Sequence, residues 1–119
     1  MTIFFRIIFL TLILLSLFLS LSPAQHSVPM IWNDKLVHCV SYFLLVMMLD
    51  FSWKPGEALL AKSLFIFVYS SLIEFGQSFV PGRDMSIEDV VANCLGVLLF
   101  IFIVPLFRRV NIYQTLRLI

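Results

Sequence analysis

Three short stretches hold most of the groups in this chain that could do chemistry. "DKLVHCVSYF" (34–43) carries Asp34, Lys35, His38 and Tyr42. "IEFGQSFVPGRDMS" (73–86) carries Glu74, Gln77, Arg83 and Ser86, and "DVVANCLG" (89–96) carries Asp89 and Asn93. His38, Glu74 and Asp89 are residue types that move protons. Lys35 and Arg83 suit phosphate or another anion. Asp34, His38, Glu74 and Asp89 are also types that ligate a divalent cation, but their spacing matches no metal motif, so the sequence assigns no metal and no cofactor. There is no P-loop and no Ser-His-Asp spacing, so whether any reaction is catalysed stays open at this level.

The elements that must position these groups are almost entirely apolar. The chain has 119 residues, of which 61% are hydrophobic and 13% charged, with a mean hydropathy of +1.06. A soluble domain is about half apolar and about a quarter charged. This chain has too little polar surface to coat a soluble globule, which implies an integral membrane protein. The net charge of +1 says little about partners, and without a Lys/Arg cluster no nucleic-acid partner is expected. Cys39 and Cys94 fit no zinc or redox spacing and read as small packing residues.

Four apolar runs, at about residues 3–22, 36–53, 58–80 and 87–107, are each close to the roughly 20 residues a spanning helix needs. Only helices or closed barrels can cross lipid, and these runs are too long and continuous for barrel strands. The expected fold is all-α: an integral membrane bundle of four transmembrane helices in a single domain over residues 1–119. The first run competes with a signal peptide cut after Ala24. Its long apolar core and single leading basic residue, Arg6, favour retention. Pro55-Gly56 and Pro81-Gly82 punctuate the middle runs. Ser86, with Asp89 three residues on, matches a helix-capping pattern at the start of the fourth.

With four spans, Arg6, Lys54, Lys62, Arg108, Arg109 and Arg117 fall on one side and Lys35 and Arg83 on the other, six against two. By the positive-inside rule both termini are cytoplasmic. The second helix then begins outside, the third ends outside and the fourth begins outside, so the three polar stretches meet at one membrane face. Asp34, His38 and Tyr42 share a stripe at i, i+4, i+8. Glu74 and Gln77 share a face, as do Asp89, Asn93 and Gly96. At about 1.5 Å per residue Glu74 lies roughly 9 Å inside the outer end. Asn93 and Tyr42 are about as deep, His38, Gln77 and Asp89 are shallower, and Lys35 and Arg83 stand at the rim.

A charge at mid-membrane costs about 2.5–3.5 kcal/mol on insertion scales. Glu74 must therefore meet a partner, line a water-filled pocket or carry a proton. Each group has a plainer role too: hydrogen bonding between helices for Glu74, snorkelling for Lys35 and Arg83, capping for Ser86 and Asp89. Asp50, four residues before Lys54, reads as half of a local ion pair. Helix glue alone does not need several ionisable groups of both signs at one face.

At these residues the chain resembles the VanZ-like family of small bacterial membrane proteins. The shared pattern is Asp-Lys, then His and Tyr-Phe; Glu and Gln, with an Arg after Pro or Gly; then Asp and Asn before Gly. The likeness covers roughly residues 30–107. The family takes its name from a protein associated with resistance to the glycopeptide teicoplanin. The resemblance therefore implies a role at the cell envelope, without supplying a reaction.

Residues and resemblance together point to a multi-pass protein of the bacterial inner membrane. Its outward-facing polar pocket would bind, and could modify, an anionic lipid-linked envelope component. Lys35 and Arg83 would meet the anion. His38, Glu74 and Asp89 would supply acid/base groups, and Asp34, Tyr42, Gln77, Ser86 and Asn93 would line the site. The rival readings are a non-catalytic accessory protein docking a partner helix, and a small proton-coupled transporter. The transporter would need a homo-oligomer, because four short helices enclose little space. Topology reporters fused after Lys54 and after Arg83 should give opposite signals, cytoplasmic and periplasmic respectively. The reverse assignment would overturn the orientation.

Overall fold

The computed structural model describes residues 2–21, 34–80 and 87–118. Five helices follow in chain order: α1 (Thr2–Leu21), α2 (Asp34–Ser52), α3 (Leu59–Gln77), α4 (Ile87–Arg109) and the short α5 (Ile112–Leu118). There is no strand among the described residues. The first four are long and apolar enough to cross a membrane. At 1.5 Å per residue, helices of this size reach about 27–35 Å, which matches a hydrocarbon core of about 30 Å.

The bundle is greasy outside and partly polar within. Phe18, Leu60 and Phe102 are more than two-thirds exposed, as side chains solvated by lipid tails should be. Asp50, Lys62, Ser70, Glu74 and Asn93 are buried. The apolar core is built around Tyr42, Leu45, Val46, Ile66, Val97 and Phe100, and Tyr113 of α5 joins it. Cys39 and Cys94 are free and half-buried.

α2 and α4 form the most extensive interface. It depends on Gly96. A Cβ built there would collide with the Cys39 carbonyl oxygen and lie 3.0 Å from the Phe43 amide nitrogen. The two backbones touch, as small residues permit between membrane helices.

α1 lies at the edge, with no fully buried residue among those whose side chains are described. Polar bonds fasten it along its length. Near its start, Arg6 Nε donates to the Ser52 carbonyl (3.0 Å), and the guanidinium lies 4.5 Å from the Trp53 ring centre. This satisfies a carbonyl left open where α2 ends. Halfway along, the Tyr69 hydroxyl donates to the Ile13 carbonyl (2.9 Å) and lies 2.7 Å from the Ser16 hydroxyl. At its far end, Gln77 Nε2 donates to the Ser20 carbonyl (2.9 Å). Side-chain bonds between membrane helices average about 0.6 kcal/mol each, so the set outweighs any single member.

The α2–α3 turn corrects one expectation. Asp50 does not pair with Lys54. Helix α2 ends at Ser52 and Lys54 turns to a φ of +41°, so the i, i+4 geometry does not exist there. Asp50 Oδ1 instead accepts from Lys62 Nζ of α3 (2.7 Å) and from the Gly56 amide (3.0 Å). Lys62 also donates to the Lys54 carbonyl (3.0 Å). Gly56 sits at φ +81° with the Tyr113 ring against it, so only glycine fits without strain. Burial first, and the Asp50 carboxylate second, push the Tyr113 hydroxyl well above the ordinary tyrosine range, so it stays protonated beside this pair.

Removing one partner of a buried ion pair leaves the other charge stranded, at a cost of about 3–5 kcal/mol. Asp50→Ala should therefore lower the SDS concentration at which the purified protein unfolds. The double change Asp50→Leu with Lys62→Met should recover most of the loss. Asp50→Ala without effect would show that the pair does not hold the turn.

Candidate functional site

At the end of the bundle where α2 and α4 begin and α3 finishes, the structure gathers His38, Glu74 and Asp89. One ligand-type atom from each lies within 4.8 Å of the others. They come from three helices whose residues are far apart in sequence. α2 contributes Lys35 and His38, three apart and so on one face. α4 contributes Asp89 and Asn93 at i, i+4, and Gly96 one turn further on brings this face against α2. α3 contributes Glu74 from its last turn.

The bonds among them are specific. Lys35 Nζ forms an ion pair with Asp89 Oδ1 and lies 3.9 Å from Glu88 Oε2. His38 Nδ1 is 2.9 Å from Asn93 Oδ1. That oxygen can only accept, so Nδ1 is the donor and Nε2 is the ring atom turned to Asp89 Oδ1, 3.8 Å away. Asn93 Nδ2 is buried and has no hydrogen-bond partner among the described residues.

Exposure falls in steps along the cluster. The Glu88 side chain is 84% exposed, Lys35 38%, His38 20% and Asp89 14%, and Glu74 and Asn93 are 1% exposed. The arrangement is open at α2 and α4 and closed at α3. Accessibility therefore falls from the lysine through the imidazole to the acid and the amide.

The remaining expected residues lie as follows. Tyr42 is 5% exposed and belongs to the apolar core. Gln77 is buried beyond Glu74, with its amide nitrogen directed to α1. Asp34 is the first residue of α2, but its side chain lies outside what is described, and Arg83 and Ser86 lie wholly outside the described residues. Ser70 was not anticipated. It is buried one turn before Glu74 and donates to the Phe67 carbonyl (2.8 Å). Its i, i+4 spacing to Glu74 is the signal that could have marked it. At the opposite end, a cavity of about 330 Å³ is lined by Gly56, Arg108, Asn111, Tyr113 and Gln114. It lacks a comparable set of acid/base groups, so the chemistry points to the His38 end.

The sequence profile of the VanZ/LLP1 family matches residues 2–108. The chain belongs to the VanZ/LLP1 family. The match takes in α1, which lay outside the motifs quoted for the resemblance. A curated relative, the uncharacterized protein C11E3.10 of Schizosaccharomyces pombe, is 32% identical over 105 residues. That alignment covers 86% of this chain and 63% of the yeast protein, so the chain spans less than two-thirds of its relative's length. A similar protein in a yeast means that this likeness does not by itself place the chain in a bacterial membrane. No solved structure matches it.

The site depends on the close approach at Gly96. In a protein whose native cysteines are replaced by serine, the pair His38→Cys and Asn93→Cys should cross-link efficiently under mild oxidation. Adding Gly96→Leu should abolish the cross-link, because overpacking costs about 1–3 kcal/mol and here the side chain would meet the α2 backbone, which can yield only by moving away. Equal cross-linking in both backgrounds would show that Gly96 does not set the α2–α4 distance.

Proposed function

We propose that this VanZ/LLP1 protein binds the anionic headgroup of a lipid-linked cell-envelope component at the His38–Glu74–Asp89 cluster. The observation that carries the reading is the stepped opening from Lys35 to Glu74 across three helices. A purely structural polar cluster has no need of a partly exposed lysine and imidazole at its edge. Lys35 meets the anion, with Arg83 as a second cation from the α3–α4 connection. His38 and Asp89 stand where they can exchange a proton with a bound group. The position of the cluster at one end of the spans suits a headgroup at the lipid–water boundary, with its acyl chains against the apolar exterior.

The reading includes an orientation. Lys62 is held by Asp50 and Lys35 by Asp89, so discounting paired lysines turns six basic residues against two into five against one. The bias keeps its sign, and the headgroup site faces away from the cytoplasm. In a bacterium this is the outer leaflet of the inner membrane, where lipid-linked envelope precursors are used. The tethers from Arg6, Tyr69 and Gln77 to or from α1 support its retention as a working part of the bundle. The association with glycopeptide resistance belongs to the family's namesake and becomes relevant here if the bound lipid proves to be a peptidoglycan precursor.

Lipids extracted with the purified protein and identified by mass spectrometry test this directly. The wild type should carry one enriched anionic species. Glu74→Gln should still express, because it keeps shape and hydrogen bonding, but should carry that species at bulk abundance. Lys35→Gln should weaken retention, and added salt should mimic it, as screening reaches a rim-exposed charge. An identical lipid profile in wild type and Glu74→Gln would overturn the reading.

A further inference from the structure

We propose that His38, Glu74 and Asp89 bind a divalent first-row cation, Zn²⁺ being the best fit, and that the cation rather than the protein alone holds the phosphate of the headgroup. The proposal rests on the reading of this cluster as a headgroup site and names the group that would make it work.

Linear spacing gave no metal motif because the ligands come one from each of three helices. Tertiary placement supplies what spacing could not. One nitrogen and two oxygen donors lie within 4.8 Å of one another. Around a tetrahedral zinc with bonds of about 2.0–2.2 Å, donors stand about 3.4 Å apart. Closing the difference takes about 1.4 Å at the widest pair, which rotation of the Glu74 and Asp89 side chains can deliver. The imidazole and the low ligand number favour zinc over Ca²⁺, which takes six to eight oxygens. Three protein ligands leave a fourth position open, the pattern of zinc sites that hold a substrate oxygen.

A second, independent observation comes from Asn93. Its Oδ1 accepts from the Nδ1–H of His38 and so leaves Nε2 as the ring nitrogen facing Asp89. Metal-binding histidines are held in this way by an outer hydrogen bond. Nδ2 of the same amide, on a side chain 1% exposed, is buried without a partner among the described residues. Such a donor is costly unless something accepts from it. An oxygen of the group in the fourth position would do so.

Charge gives the physical reason. Two carboxylates beside the anion site oppose phosphate binding. A divalent cation between them cancels both, and Lys35 then leaves the site positive. Lys35 and the metal need not compete, since a carboxylate has two oxygens and Lys35 takes Oδ1 of Asp89.

The test uses the full chain in detergent micelles, freed of metal with EDTA and then titrated with Zn²⁺ in a calorimeter. The wild type should bind one equivalent saturably. Losing only an outer hydrogen bond to a metal ligand typically costs about 10–100-fold in affinity, so His38→Gln, Glu74→Gln and Asp89→Asn should each lose at least that. Glu57→Gln, at an exposed turn position, should bind as the wild type does. His38→Cys, which replaces one zinc ligand with another, should restore binding that His38→Gln loses, separating ligation from misfolding. Absence of saturable binding in the wild type, or equal binding in all variants, would overturn the metal. Mass spectrometry of lipid after EDTA separates the two claims. An enriched anionic lipid that survives chelation in a protein that binds no Zn²⁺ leaves the headgroup reading standing and removes the metal.

Discussion

The contact on which the rest of this structure depends is backbone against backbone, where Gly96 of α4 meets Cys39 and Phe43 of α2. In lipid there is no hydrophobic force to drive helices together, since the surrounding tails are as apolar as the side chains. Association must come from close packing and from polar bonds that lipid cannot offer. Gly96 supplies the first, and one turn away Asn93 supplies the second through His38. The same approach brings Lys35 to Asp89. Helix packing and site assembly are thus one event, and α3 then completes the cluster by presenting Glu74.

The two ends of the bundle use buried charge differently. At one end Asp50 and Lys62 are sealed, with the Asp50 side chain wholly buried and that of Lys62 9% exposed. Backbone amides and carbonyls of the α2–α3 turn share in the pairing. Desolvation is offset by geometry, and the product is a fixed turn. At the other end the charges are graded from open to closed and are shared among three helices. A sealed pair can only hold structure. A stepped cluster can also exchange its partners for those of a ligand, which is why the functional reading settles there.

Much of this was legible in the sequence, for physical reasons. Lipid leaves backbone groups no partner but one another, so each long apolar run had to be a helix. Spacings of three and four then fixed which polar residues share a face, and the alternation of spans brought the His38, Glu74 and Asp89 faces to one end. What stayed hidden depended on single torsions or on backbone acceptors. Lys54 leaves helical geometry at a positive φ, which frees Asp50 to find Lys62 twelve residues away. Gln77 reads as a companion of Glu74, yet its nitrogen serves a Ser20 carbonyl that has no side-chain signature. α5 is seven residues long, too short for periodicity to announce it, although Tyr113 reaches the core. The family match from residue 2 agrees with the tethers that fasten α1.

An experimental structure of the protein in lipid nanodiscs prepared from its native membrane would test the central claim most directly. The account predicts phosphate-sized density bounded by Lys35, His38, Glu74 and Asp89, continuous with acyl chains lying along the apolar outside of the bundle. A cluster closed to any ligand, with acyl chains packed across the α2–α4 mouth and Lys35 extended into bulk headgroups, would contradict it.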